Sequence, residues 1–162
     1  MLHFKQHKSN ENHEWLVLLH GLGGNSTLFY KQTDFLSQHY NLLLIDLPGH
    51  GESDGIDIPV YCPEIVADKV IDLLNKLSIQ KPHFLTFSLG TIIANALMHR
   101  VPDRIETMTL AGPVLRLNRW SEALVNTAWK LRHFASYMTF YKIFAHIMMP
   151  FKSHAISRHF FI

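Results

Sequence analysis

Short apolar runs separated by helical patterns set the organisation of this chain. Trp15 to Leu19 (WLVLL) is apolar without alternation, as expected of a strand covered on both faces of a parallel sheet. Tyr40 to Ile45, His83 to Phe87 and Ile105 to Ala111 read as further strands. Between them lie three helical stretches. The first is capped by Asn25 or Ser26 and runs to about Ser37. The second follows Cys62-Pro63, with proline at the first helical position and an apolar face of Ile65, Val66, Val70, Ile71, Leu73 and Leu74. The third runs from Thr91 to His99 and is closed by Pro102-Asp103. Met1 to His7 fits a short edge strand, and Lys8 to His13 a polar turn. Strands that alternate with helices predict an α/β fold, a doubly wound and mainly parallel sheet. Ligands of such sheets bind beyond the C-terminal ends of the strands, and His20, Asp46 and Ser88 all fall there.

Past Gly112-Pro113 the pattern becomes aromatic and helical. Trp120, Leu124, Ala128 and Leu131 form one stripe; Tyr137, Phe140 or Tyr141, Phe144 and Met148 form a second, stopped by Pro150. A third helix is expected from Ser153. The expected division is therefore a core over residues 1–114 and a helical segment over 115–162. Residues 115–162 carry seven basic side chains and one acid, against eight and twelve in the rest of the chain. That excess suits an anionic substrate or a membrane surface, and equally a solvated helical face.

Composition narrows the class. The 162 residues are 48% hydrophobic and 17% charged, enough to build a core and unlike a disordered chain. The single Cys62 excludes an internal disulfide framework and fits a reducing, cytoplasmic compartment. Met1 to Glu14 contains no apolar signal-peptide region. No apolar run approaches the ~18 residues of a membrane span. Twelve histidines raise the question of a metal, but no H-E-x-x-H stretch and no Cys/His cluster is present, so neither metal nor cofactor is expected. No nucleic-acid partner is expected either.

The chemistry concentrates at Leu85-Thr86-Phe87-Ser88-Leu89-Gly90. A strand that passes directly into a helix strains the joint residue and pushes its side chain out of the sheet edge, the logic of the G-x-S-x-G nucleophile elbow. Thr86 stands where that pattern has its first glycine. Read by itself, Ser88 is equally a helix N-cap. The His20-Gly21-Leu22-Gly23-Gly24 stretch after the first buried strand is a permissive loop. It lacks the G-K-[ST] of a nucleotide-binding loop.

Taken in order, H-G-L-G-G at 20–24, D-L-P-G-H-G-E-S at 46–53 and the serine at 88 resemble the α/β-hydrolase family, closely over Trp15 to Pro113 and more loosely beyond. The resemblance implies Ser88 as catalytic nucleophile and the backbone N–H groups of Leu22 and Leu89 as the oxyanion hole. It places 115–162 at the family's helical cap, whose stripe either lines a substrate pocket or packs on the core. It makes His20 and His50 structural, and implies a small acyl or apolar substrate such as an ester or thioester. The triad order on this fold is serine, acid, histidine. The stretch after the strand ending near Ala111 has no carboxylate, so neither acid nor base is recognisable and the chain reads as ending inside the cap. Two other readings stay open: a lyase similar to the menaquinone-pathway synthase, and a non-catalytic binding protein on the same scaffold. A strand at Ile105 to Ala111 without an outer neighbour also implies self-association through an uncovered sheet edge.

Overall fold

The computed structural model describes residues 1–53 and 62–114, together with Thr127, Thr139, Lys142, Ile143 and His146. The chain divides into two units, Met1–Val114 and Leu115–Ile162. In the second unit the five described residues are helical, and His146 Nδ1 donates to the Lys142 carbonyl at 2.8 Å. The aromatic stripes from Trp120 to Met148 and the helix expected from Ser153 lie outside the described residues.

The first unit is a five-stranded sheet: β1 (Phe4–His7), β2 (Trp15–Leu19), β3 (Asn41–Ile45), β4 (His83–Phe87) and β5 (Met108–Ala111), in the spatial order β1-β3-β2-β4-β5. β2, β3, β4 and β5 are parallel; β1 joins antiparallel to β3, with Phe4 opposite Ile45. The central strands β2 and β3 are buried along almost their whole length, which explains the absence of alternation. Asn41 is the polar exception in β3. Its amide accepts from the Ser9 and Asn10 N–H groups and donates to the Asn10 and His13 carbonyls, which pins the polar turn between β1 and β2.

Helices cover both faces. α2 (Pro63–Lys76) and α3 (Leu89–Arg100) pack on one, around Val17, Leu19, Leu43, Ile45, Val66, Val70, Leu73, Phe84, Ile93 and Leu97. α1 (Tyr30–Leu36), preceded by a 3₁₀ turn at Ser26–Phe29, lies by the other, where Leu16, Leu18, Phe29, Leu42 and Leu44 cluster with Leu28, Leu36 and Leu85. Asn25, rather than Ser26, is the cap: its Oδ1 accepts from Thr27 N–H at 2.8 Å.

Two boundaries differ from the sequence expectation. The last strand begins at Met108 rather than Ile105, because Pro102–Arg104 forms a 3₁₀ turn and Ile105 N–H returns to the Pro102 carbonyl. α3 begins at Leu89 rather than Thr91, directly after the strand it follows. The strand order matters for function. From β2 the chain moves to β3 on one side and later to β4 on the other. The loops after β2 and β4 therefore part at a topological switch point, where a crevice opens.

Candidate active site

Ser88 stands between β4 and α3 with φ 49° and ψ −110°. This is not the extended backbone of an N-cap, and its side chain makes no capping hydrogen bond. A non-glycine residue held there costs about 1–3 kcal/mol and persists only where its surroundings enforce it. Those surroundings are specific. Ser88 N–H donates to the Ala111 carbonyl at the end of β5 (3.1 Å), and its carbonyl accepts from Thr91 N–H (2.8 Å) and Thr91 Oγ1 (2.6 Å). Gly90 N–H donates to the His20 carbonyl at 3.1 Å, tying the first turn of α3 to the end of β2.

The loop after β2 reaches the same place. A Cβ built on Gly21 would lie 3.1 Å from Ser88 Cβ, so the backbone just before Leu22 abuts the elbow. Leu22 is exposed in the turn that follows. Among the described residues, neither the Leu22 nor the Leu89 N–H enters a hydrogen bond, and Leu89 N–H is at the positive end of α3.

Two buried polar side chains brace this edge. His20 Nδ1 donates to the Gly21 carbonyl (2.7 Å) and Nε2 accepts from Leu47 N–H (2.9 Å), which locks the neutral tautomer and links the loop after β2 to that after β3. Burial lowers its pKa to about 4; the Gly21 carbonyl opposes this, the neighbouring His50 adds to it, and Asp46 opposes it. Asp46 Oδ1 accepts from Ser26 N–H (2.6 Å), and Oδ2 from Glu52 N–H (3.1 Å) and His3 Nδ1 (2.8 Å). Burial pushes its carboxyl up, but those hydrogen bonds outweigh burial and hold it below the usual range. Both side chains are thus committed to holding loops.

An open cleft of about 380 Å³ lies beside α1, lined by Leu28, Phe29, Gln32, Leu85, Thr86, Phe87 and Ala111. Ser88 does not line it, although both its neighbour Phe87 and its partner Ala111 do. Among the described residues no group of three or more His, Cys, Asp or Glu side chains is arranged to hold a metal ion. Nor is any helix of those residues long and apolar enough to cross a membrane.

The family described as the alpha/beta hydrolase fold matches residues 14–148. This chain belongs to the α/β-hydrolase family. Among its curated relatives, (E)-2-((N-methylformamido)methylene)succinate hydrolase from Acinetobacter baylyi is 29% identical over 74% of the chain and 45% of its own length. A pimeloyl-acyl-carrier-protein methyl ester esterase from Aeromonas salmonicida is 36% identical over 57% of the chain and 35% of its own length. The chain thus spans less than half the length of these relatives. The crystal structure of a hydrolase from Pseudomonas aeruginosa superposes with a TM-score of 0.83 at 24% identity, over 99% of this chain and 61% of that one, which shows the shared fold.

In this α/β-hydrolase framework, Ser88, Leu89 and the loop carrying Leu22 come together at the switch point. Thr86, which replaces the elbow's first glycine, is fully buried in β4 with its hydroxyl toward the Thr109 carbonyl, so the strand has room for a side chain there. Three contributors escaped the sequence reading. His3 braces Asp46 across 43 residues of sequence, the Ala111 carbonyl holds Ser88, and Thr91 clamps the elbow. Neither His3 nor Ala111 has a local signature. Only the helical position of Thr91, three residues after the serine, hinted at a bond back to it.

Proposed function

We propose that this protein acts as a serine hydrolase on an ester, thioester or related acyl substrate, with Ser88 as nucleophile. The observation that carries this reading is the conformation of Ser88: strained, uncapped, followed directly by the Leu89 N–H without an acceptor, and abutted by the backbone just before Leu22. Ser88 Oγ would attack the acyl carbonyl. The tetrahedral oxyanion would be met by the Leu22 and Leu89 N–H groups, preorganised donors of the kind worth about 3–4 kcal/mol each at a developing charge. Collapse expels the alcohol or thiol and leaves an acyl-serine, which water then hydrolyses. The attacking proton needs a base, which in this family is a histidine oriented by an acid. No described side chain hydrogen-bonds to Ser88 Oγ, so on this reading the described residues would supply the nucleophile and the oxyanion donors and not the base. A methyl ester esterase among the relatives favours an ester as substrate. The hydrolase names of both relatives favour this reading over the lyase.

The test is reaction with a fluorophosphonate, followed by intact mass and peptide mapping. The expected adduct forms at Ser88, slowly because no described residue serves as its base, and is absent in Ser88→Ala. Equal labelling and undiminished ester hydrolysis in Ser88→Ala would refute the assignment.

The reading includes the outer edge of β5 as a self-association surface. Among the described residues β5 pairs only with β4, while Leu110 (42%) and Phe87 (37%) remain exposed beside that edge. Unpaired backbone next to apolar side chains is a template for another strand.

A further inference from the structure

Thr91 is 4% exposed in the first turn of α3, and its hydroxyl has two partners. It donates to the Ser88 carbonyl at 2.6 Å and accepts from Val114 N–H at 3.1 Å. Ser88 N–H meanwhile donates to the Ala111 carbonyl. The short stretch leaving β5 therefore grips the elbow residue at both of its peptide groups: directly at the N–H through Ala111, and at the carbonyl through Val114 and the Thr91 hydroxyl. The relay runs Val114 N–H to Thr91 O–H to Ser88 C=O, a chain in which each bond polarises the next.

The peptide plane turns this clamp into an aim. The Ser88–Leu89 bond is trans, as every described peptide bond is, so the Ser88 C=O and the Leu89 N–H point in opposite directions within one rigid plane. Fixing the carbonyl toward Thr91 fixes the Leu89 N–H away from it. We propose that Thr91 is a positioning residue for the candidate oxyanion site, its hydroxyl transmitting the position of the backbone after β5 to the Leu89 N–H. A movement of residues 112–114 would then re-aim the donor without touching Ser88 Oγ. This rests on the reading of Leu89 N–H as an oxyanion donor.

The experiment compares the wild-type chain with Thr91→Val, which keeps the shape and removes the hydroxyl, and Thr91→Ser, which restores it. Two quantities are read: the rate of Ser88 phosphonylation by a fluorophosphonate, which releases fluoride, and the amide resonances and hydrogen exchange of Leu89 and Val114. Thr91→Val should slow phosphonylation about tenfold or more, while Thr91→Ser stays within about twofold of wild type. In Thr91→Val the Leu89 resonance should shift and Val114 should exchange faster, both reverting in Thr91→Ser. If Thr91→Val does not fold, Thr91→Ala, which favours the helix, reports the same quantities. A wild-type rate in the hydroxyl-less variant, or an unmoved Leu89 resonance, overturns the proposal. If Ser88 in the wild-type chain does not react at all, the nucleophile reading fails, and the amide data alone decide whether Thr91 aims the Leu89 N–H.

Discussion

Replacing Gly90 by alanine tests the contact that seats α3 on β2. Gly90 is buried, and a Cβ there would lie 2.5 Å from the Leu19 carbonyl oxygen and 3.0 Å from both the His20 oxygen and the Leu19 carbonyl carbon. All three are backbone atoms at the end of the central strand, so no side chain can swing aside. Relief requires moving the first turn of α3 outward, which breaks the Gly90 N–H bond to the His20 carbonyl. Overpacking of this kind costs about 1–3 kcal/mol, and a buried hydrogen bond broken on one side a further ~1–3 kcal/mol. Against this, alanine gains about 1 kcal/mol of helix propensity over glycine. The net expectation is a loss of about 1–5 kcal/mol, centred near ~3 kcal/mol, or a fall of about 10 °C in Tm for a chain of this size. Gly49→Ala is the control. Gly49 has φ +73° and nothing within 4 Å of a built Cβ, so it carries only a backbone penalty of about 1–2 kcal/mol. Thermal unfolding followed by circular dichroism reads both. An unchanged midpoint for Gly90→Ala, or a larger loss at Gly49 than at Gly90, would refute the packing argument.

Acid should destabilise this protein in two windows. His20 is depressed from 6.5 to about 4 in the folded chain, so its contribution is complete above pH 6.5 and is lost as pH falls toward 4, about 3 kcal/mol in all. Asp46 is also depressed, so its contribution is present above its unfolded value of 3.8 and is lost below it as pH falls through the folded value. Midpoints measured from pH 7.5 to 3 should decline through both windows, with the upper decline flattened in His20→Gln; a flat wild-type profile between pH 6.5 and 4 would contradict the burial of a neutral His20. The β5 edge predicts concentration-dependent association, read by size-exclusion chromatography with light scattering. A monomer at all concentrations would mean that the edge is covered.

The element content of the first unit was legible in the sequence because it depends on neighbours a few residues apart. The apolar runs of Trp15 to Leu19 and Leu42 to Ile45, the Cys62-Pro63 helix start and the abrupt change of period at Ser88 each reflect local backbone preference or burial. The spacing of His20, Asp46 and Ser88 after their strands likewise placed them on one edge before the strand order was known. Helix and strand ends were less legible. The 3₁₀ turn at Pro102–Arg104 shortened the last strand, and α3 began two residues early because the elbow leaves no linker. Tertiary structure alone decided what each residue does at that edge. The strand-to-helix joint put the strain at Ser88, where the positive φ is found, but that Gly90 is needed for room against Leu19 and His20 is visible only in the packing. His3 reaching Asp46, Ala111 holding Ser88 and Val114 meeting Thr91 join residues 43, 23 and 23 positions apart. Such bonds exist only once β1, β3, β2, β4 and β5 lie side by side in that order, because pairing between strands sets those distances and the local pattern of any one strand does not.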